Sequence, residues 1–189
     1  MGGIGEVKYY LIIDLEATCC NKGTVPREEM ETIEIGAVVV DATTLKIVDE
    51  YEVFIKPILN PTLTPFCKGL TTITQNDVDE ALGYKEAVED FKRWFSQYDD
   101  FLFCSWGDYD KTQFKRDCKL HNISYPFNDE HLNIKQEFAK VQGIKPCGLD
   151  TALDHVGLEL LGTHHRGIDD ARNMGCLMPY IVLISKGSN

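Results

Sequence analysis

Apolar residues fall into short blocks along the chain, and their spacing changes from one block to the next. Tyr9 to Asp14 is a nearly unbroken apolar run of β-branched and aromatic side chains, the pattern of a strand buried on both faces. Thr32 to Val40 and Lys46 to Ile55 predict two more strands, separated by Asp41-Ala42-Thr43-Thr44, a polar turn of hairpin length. Phe101 to Ser105 predicts a fourth strand and Leu132-Asn133-Ile134 a short fifth. Elsewhere the spacing shifts toward the helical period. Ala81 to Phe95 (with Leu82, Val88, Phe91, Trp94 and Phe95), Tyr109 to His121, Leu149 to Val156 and Ile168 to Ile184 each predict a helix. Strands come first as a meander and then alternate with helices. That order predicts an α/β layer fold, a mixed five-stranded β-sheet flanked by α-helices. With no repeat and no long linker, the expectation is one domain over residues 8–189 behind a disordered tail at 1–7.

Composition narrows the class. The chain has 189 residues, 43% hydrophobic and 26% charged, enough apolar material for a sizeable core, which excludes disordered and collagen-like chains. No apolar run approaches the roughly 20 residues of a membrane helix. The opening Met1-Gly2-Gly3-Ile4-Gly5-Glu6 lacks the basic and apolar regions of a signal peptide. A soluble, cytoplasmic protein without membrane contact is expected. The seven cysteines are odd in number, form no Cys-x-x-Cys and sit partly inside apolar segments. Reduced, mostly buried thiols are therefore expected, not a disulfide framework or a zinc site. The formal charge of −11 excludes a protein that holds duplex nucleic acid by charge alone. It leaves room for an enzyme that meets nucleic acid through bound cations.

Three segments carry candidate chemistry. In Ile12-Ile13-Asp14-Leu15-Glu16-Ala17-Thr18, a period of two puts Asp14 and Glu16 on one side. Paired carboxylates repel, and hard divalent cations reverse that repulsion; a strand ending in a solvated polar turn is the competing reading. Ser105-Trp106-Gly107-Asp108-Tyr109-Asp110 joins the fourth strand to a helix, where α/β sheets gather ligand-handling groups. Either aspartate suits a helix cap, and Asp110 shares a face with Phe114 and Cys118, turned toward the protein body. Gly162-Thr163-His164-His165-Arg166-Gly167-Ile168-Asp169-Asp170 places two histidines on a glycine-flanked loop before a helix that opens with two acids. Acids at a helix start also serve the macrodipole alone.

Taken in order, Asp14-Leu15-Glu16-Ala17-Thr18, Trp106-Gly107-Asp108-Tyr109-Asp110 and His165-Arg166-Gly167-Ile168-Asp169-Asp170 resemble the three motifs of the DEDDh 3′→5′ exonucleases. That family has a ribonuclease H-like fold and includes ribonuclease T and proofreading exonucleases. Phe66-Cys67-Lys68-Gly69-Leu70-Thr71-Thr72-Ile73-Thr74-Gln75 and Cys104-Ser105-Trp106 resemble most the branch of 3′ exoribonucleases that trim histone mRNA stems and small RNAs. The resemblance covers about residues 8 to 184. It implies that Asp14, Glu16, Asp110 and Asp170 bind two Mg²⁺ or Mn²⁺ ions, and that His165, five residues before Asp170, is the general base.

It also implies that Ala17 and Thr18 offer backbone and small side chains to the terminal sugar, and that Phe66, Leu70 and Ile73 in the Phe66 to Ile73 segment supply apolar contacts to the last base. The same three apolar residues equally suit a helix packed into a core. Relatives with an RNA-binding domain carry it ahead of the nuclease. The segment before Val7 is too short for one, so structured-stem recognition is not expected. Lys111, Lys115 and Lys119 form an i, i+4, i+8 stripe beside Asp110 that suits tracking of a phosphate backbone and, as the favoured reading, a solvated helix face. The expected activity is metal-dependent hydrolysis from the 3′ end of single-stranded RNA or short oligonucleotides, releasing nucleoside 5′-monophosphates. A DNA exonuclease and a nuclease-like binding module are the alternatives.

Overall fold

In the computed structural model, which describes residues 7–182, the strands assemble into one sheet in the order β4-β3-β2-β1-β5-β6. β1 (Tyr9–Ala17), β2 (Thr32–Asp41) and β3 (Ile47–Lys56) form the antiparallel meander, and β5 (Phe101–Ser105) joins β1 in parallel. Two-residue strands finish the edges: β4 (Leu82–Gly83) beside β3 and β6 (Leu132–Asn133) beside β5, both parallel. The sheet is thus mixed, as expected, with six strands among the described residues where five were expected. The addition is β4, which occupies what reads as the first turn of a helix from Ala81. That helix, α3, begins only at Tyr84 and ends at Phe95. Two residues are too short to show a period, and pairing with Ile55 and Lys56 places them in the sheet.

The apolar run of β1 faces two cores. Tyr10 and Ile12 pack with Val38 and with Ile168, Ala171 and Met174 of α7 (Gly167–Leu177). Leu11, Ile13 and Leu15 pack on the opposite side with Phe91 of α3 and Phe114 of α4 (Tyr109–Leu120). Burial on both faces explains why β1 reads as continuous rather than alternating.

Three helices lie outside the expected set: α1 (Pro65–Thr71), α2 (Gln75–Asp79) and α5 (Ile134–Gln142). The first two are under three turns and too short for periodicity, yet their starts are marked. Thr64 caps α1 ahead of Pro65, and Thr74 with Asp77 forms a reciprocal capping box on α2. Asn133 caps α5 and the left-handed Gly143 ends it. α6 (Leu149–His155) is as expected to within one residue. α7 stops at Leu177, one residue after which Pro179 opens a separate helical turn over 179–182. The expected end at Ile184 lies outside the described residues, as does the expected tail apart from Val7.

All seven cysteines are free thiols. Cys67, Cys104 and Cys118 are buried and the other four half-buried.

Candidate active site

β1 runs three residues past Asp14, so Asp14 and Glu16 stand on the strand itself and not in a turn beyond it. Both are half-buried on the face toward α7, while Leu15 between them enters the opposite core. α4 delivers Asp110 to the same place. Asp110 is 3% exposed, and its Oδ1 accepts the Leu15 amide hydrogen at 3.0 Å, midway between the two β1 acids. Further along α4, Asp117 accepts from the Thr32 amide and hydroxyl at 3.1 and 2.6 Å, fixing the helix against β2.

α7 brings the fourth carboxylate. Asp170 is 4% exposed, and one oxygen from each of Asp14, Glu16 and Asp170 lies within 4.8 Å of the others. Asp169, one residue earlier, turns away to accept from the Thr163 amide at 2.9 Å and to pair with Arg172 at 2.8 Å. Asp108 points outward with a side chain 75% exposed and accepts from Asn133. Geometry therefore separates Asp170 from Asp169 and Asp110 from Asp108.

Both histidines touch Asp170, in different ways. The His165 amide donates to Asp170 Oδ2 at 3.0 Å, and His164 Nδ1 lies 3.0 Å from Oδ1. Their rings stack with centroids 4.0 Å apart. His165 sits at φ 65°, a left-handed conformation that histidine enters more readily than most residues. The loop is braced from β2 and β3: Arg166 donates to the fully buried Glu34 at 3.2 Å and to Glu52 at 2.7 Å, and Glu34 also accepts from the Ile168 amide.

Burial dominates the electrostatics. It pushes the Asp14 carboxyl well above its ordinary range, with repulsion from Asp110, Glu16 and Asp170 adding to it. Burial, then Glu34 and Asp170, pushes Glu16 up to about 9. Asp110 rises to about 7 through burial, opposed by the Leu15 N–H. The His165 ring is held below its ordinary value by burial and by His164. Carboxylates gathered this closely fit a hard cation, which favours several oxygen ligands and offsets their repulsion. The residues present thus suit divalent metal.

These groups line a cavity of about 420 Å³, walled by Leu15, Ala17, Leu70, Trp106, Tyr109 and Leu149 among others, within the range of small-molecule sites. Residues 11–177 match the RNase T exonuclease family. The chain belongs to that family.

The exonuclease domain is 31% identical over 190 residues to the 3′-5′ exonuclease Snipper of Drosophila melanogaster, covering 90% of this chain and 68% of that protein. It is 30% identical to ERI1 exoribonuclease 2 of Homo sapiens, covering 93% of this chain but 29% of the longer human protein. Among solved structures, the nuclease domain of 3′hExo, a DEDDh family member bound to rAMP, superposes with a TM-score of 0.84 at 26% identity over 96% of this chain and 92% of that one. A 3′-exonuclease whose structure shows 3′-end specific recognition of a histone mRNA stem-loop gives a TM-score of 0.87 at 25% identity, over 98% of this chain and 67% of that one. The ribonuclease H-like fold of the DEDDh exonucleases, a metal-dependent family, is therefore the fold of this domain.

The expected substrate contacts divide. Ala17 and Leu70 line the cavity. Ile73 does not: it is fully buried with Ile33, Leu63, Cys67 and Val78, a core residue beneath α1 and α2. Thr18 is 2% exposed, and its hydroxyl oxygen accepts from the Glu31 amide at 3.0 Å. Its side chain therefore helps to hold the chain after β1. Phe66 is 38% exposed on α1, outside the cavity wall. Lys135 and Met30 do line the cavity, and neither stood out in the sequence. Lys135 lies in α5, which had no periodic signal, and Met30 lies in a loop. In the lysine stripe, Lys111 donates to the Asp129 carbonyl and Lys115 pairs with Asp129 over the Tyr125 ring, in keeping with a solvated helix face.

Proposed function

We propose that this domain hydrolyses single-stranded RNA from its 3′ end with two divalent cations, Mg²⁺ or Mn²⁺, releasing nucleoside 5′-monophosphates. The observation that carries this reading is the convergence of Asp14, Glu16, Asp110 and Asp170, from three distant segments, on one cavity that also holds His165. When bound, paired cations supply Lewis-acid charge at the attacking and leaving oxygens of a phosphodiester. Asp14, Glu16, Asp110 and Asp170 would hold them. His165 takes the proton from the attacking water; a ring kept neutral near pH 7 is suited to accept it. Asp170 orients His165 through the backbone amide. Ala17 and Leu70 meet the terminal nucleoside, and Lys135 supplies a cation to its phosphate.

RNA preference rests on the relatives named exoribonucleases and on the solved neighbour bound to rAMP. The test uses matched RNA and DNA strands, each labelled at the 5′ end, incubated with Mg²⁺ and with chelator. A ladder of 5′-labelled products one nucleotide apart, faster on RNA and abolished by chelator, is expected. Equal or faster shortening of DNA would replace the RNA assignment, and an unshortened strand would reject the activity.

A further inference from the structure

A second, smaller groove of about 200 Å³ opens beside the carboxylate cavity. Tyr109 borders both, and the groove continues along α4 past Thr112 and Gln113 to Arg116, with Arg27 on the facing loop. Its charge stands out against a chain of net −11. Of the five arginines, Arg93, Arg166 and Arg172 are ion-paired. The other two, Arg27 and Arg116, both line this groove, and neither is ion-paired among the described residues. Arg27 is exposed on the short 3₁₀ turn Arg27–Glu29. Arg116 is held in place by Nη2, which donates to the Met30 carbonyl at 3.0 Å and to Gln113 Oε1. Its Nε is buried and has no hydrogen-bond partner among the described residues. The one acid in the lining, Asp108, is occupied by Asn133 and lies 3.7 Å from His131.

Two unpaired guanidinium groups suit phosphate, because the planar fork presents parallel donors to its oxygens. We propose that this groove is a phosphate subsite, in which Arg27 and Arg116 hold the phosphodiester backbone of the strand whose 3′ end enters the carboxylate cavity. The assignment rests on the exonuclease reading for the direction of the strand. It differs from the catalytic site in kind: it reads backbone charge and carries no chemistry.

The test is fluorescence anisotropy with a 5′-labelled ten-nucleotide uridine strand whose 3′-terminal linkages are phosphorothioates that resist cleavage, titrated in Mg²⁺ at several salt concentrations. Arg27→Ala is expected to weaken binding about three- to tenfold and to reduce the slope of log K against log salt by about 0.7, the loss of one single-strand phosphate contact. Arg93→Ala, on the outer face of α3, removes the same charge elsewhere and is expected to bind within about twofold of wild type. Arg116→Lys, which keeps the charge but loses the fork, is expected to fall between Arg27→Ala and wild type. Wild-type binding by Arg27→Ala would overturn the proposal, as would an equal loss in Arg93→Ala, which would mean that overall charge and not this groove holds the strand. Failure of the exonuclease reading would be seen separately, as an unmodified strand left uncut by the wild-type protein.

Discussion

Gly36 and Gly167 meet backbone to backbone: a methyl group on Gly36 would lie 2.0 Å from the Gly167 carbonyl carbon and 2.0 Å from the Ile168 nitrogen. Gly36 is also the β2 partner of Asp14. The close approach therefore seats the start of α7 directly over the catalytic end of the sheet and sets Asp170 beside Asp14. Backbone cannot swing aside as a flexible side chain can, so Gly36→Ala is expected to destabilise by about 1–3 kcal/mol or more and to lower activity by displacing Asp170. Gly69→Ala, in α1 with nothing within 4 Å, is the contrast, expected to stabilise by about 0.5–1 kcal/mol. Urea denaturation of both variants checks the pair; similar behaviour would remove the packing argument.

Asp14→Asn and Asp170→Asn each remove an ionisable carboxyl from the cluster. In metal-free buffer Asp14→Asn is expected to melt at a higher temperature than wild type, because burial and repulsion from Asp110, Glu16 and Asp170 disfavour the ionised Asp14 carboxylate. Hydrolysis should fall by about 10³-fold or more. Mg²⁺ should raise the wild-type melting temperature, by the equivalent of about 2.7 kcal/mol at a hundred times the dissociation constant, and raise the variants' far less. Undiminished hydrolysis in both variants would reject the ligand assignment.

The two histidines make distinguishable contributions. His165→Ala is expected to lower kcat by about 10²–10⁴-fold, the usual scale for a general base, while the Mg²⁺-induced rise in melting temperature persists. His164 reaches the Asp170 carboxylate with its ring, so His164→Ala is expected to act chiefly on that rise. Calorimetric scans with and without Mg²⁺, set beside single-turnover rates, separate the two. The reverse pattern would transfer the base role to His164.

His131 predicts acid lability. Its side chain is 4% exposed, with Nε2 2.9 Å from the Ser105 hydroxyl. Burial holds its pKa down at about 4, aided by Lys111 and opposed by Asp108. In the unfolded chain it returns to about 6.5. Between those values the unfolded state takes up a proton that the folded state refuses. The contribution to stability is therefore complete above pH 6.5 or so and is lost as pH falls toward 4, at no more than about 1.4 kcal/mol per pH unit. His131→Gln is expected to lose less stability than wild type between about pH 7 and 4.5, measured by denaturant titration at each pH. Parallel curves would count against it.

Much of the architecture was legible along the chain. β1, β2, β3 and β5 announce themselves because strands buried on one or both faces need apolar, β-branched runs, and α3, α4 and α6 because amphipathic helices repeat their apolar face. α1, α2 and β4 were hidden by brevity, which leaves capping residues such as Thr64 and Thr74 as their only local marks. Ile73 stays open between two readings along the chain for a related reason: an apolar residue near a motif looks the same whether it faces a ligand or a core, and its complete burial selects the core.

Residue order alone set the chemical inventory, five acid and imidazole groups in three recognisable segments, because identity and short-range spacing are properties of the chain. The preference for Asp110 over Asp108 and for Asp170 over Asp169 is implied by the motif resemblance, but its physical reason, and the pairing of Arg27 with Arg116 across a groove, came from folding. They depend on which way each side chain turns once β1, α4 and α7 converge, and the packing of Gly36 on Gly167 and the Leu15–Asp110 hydrogen bond, joining residues 131 and 95 positions apart, direct that convergence.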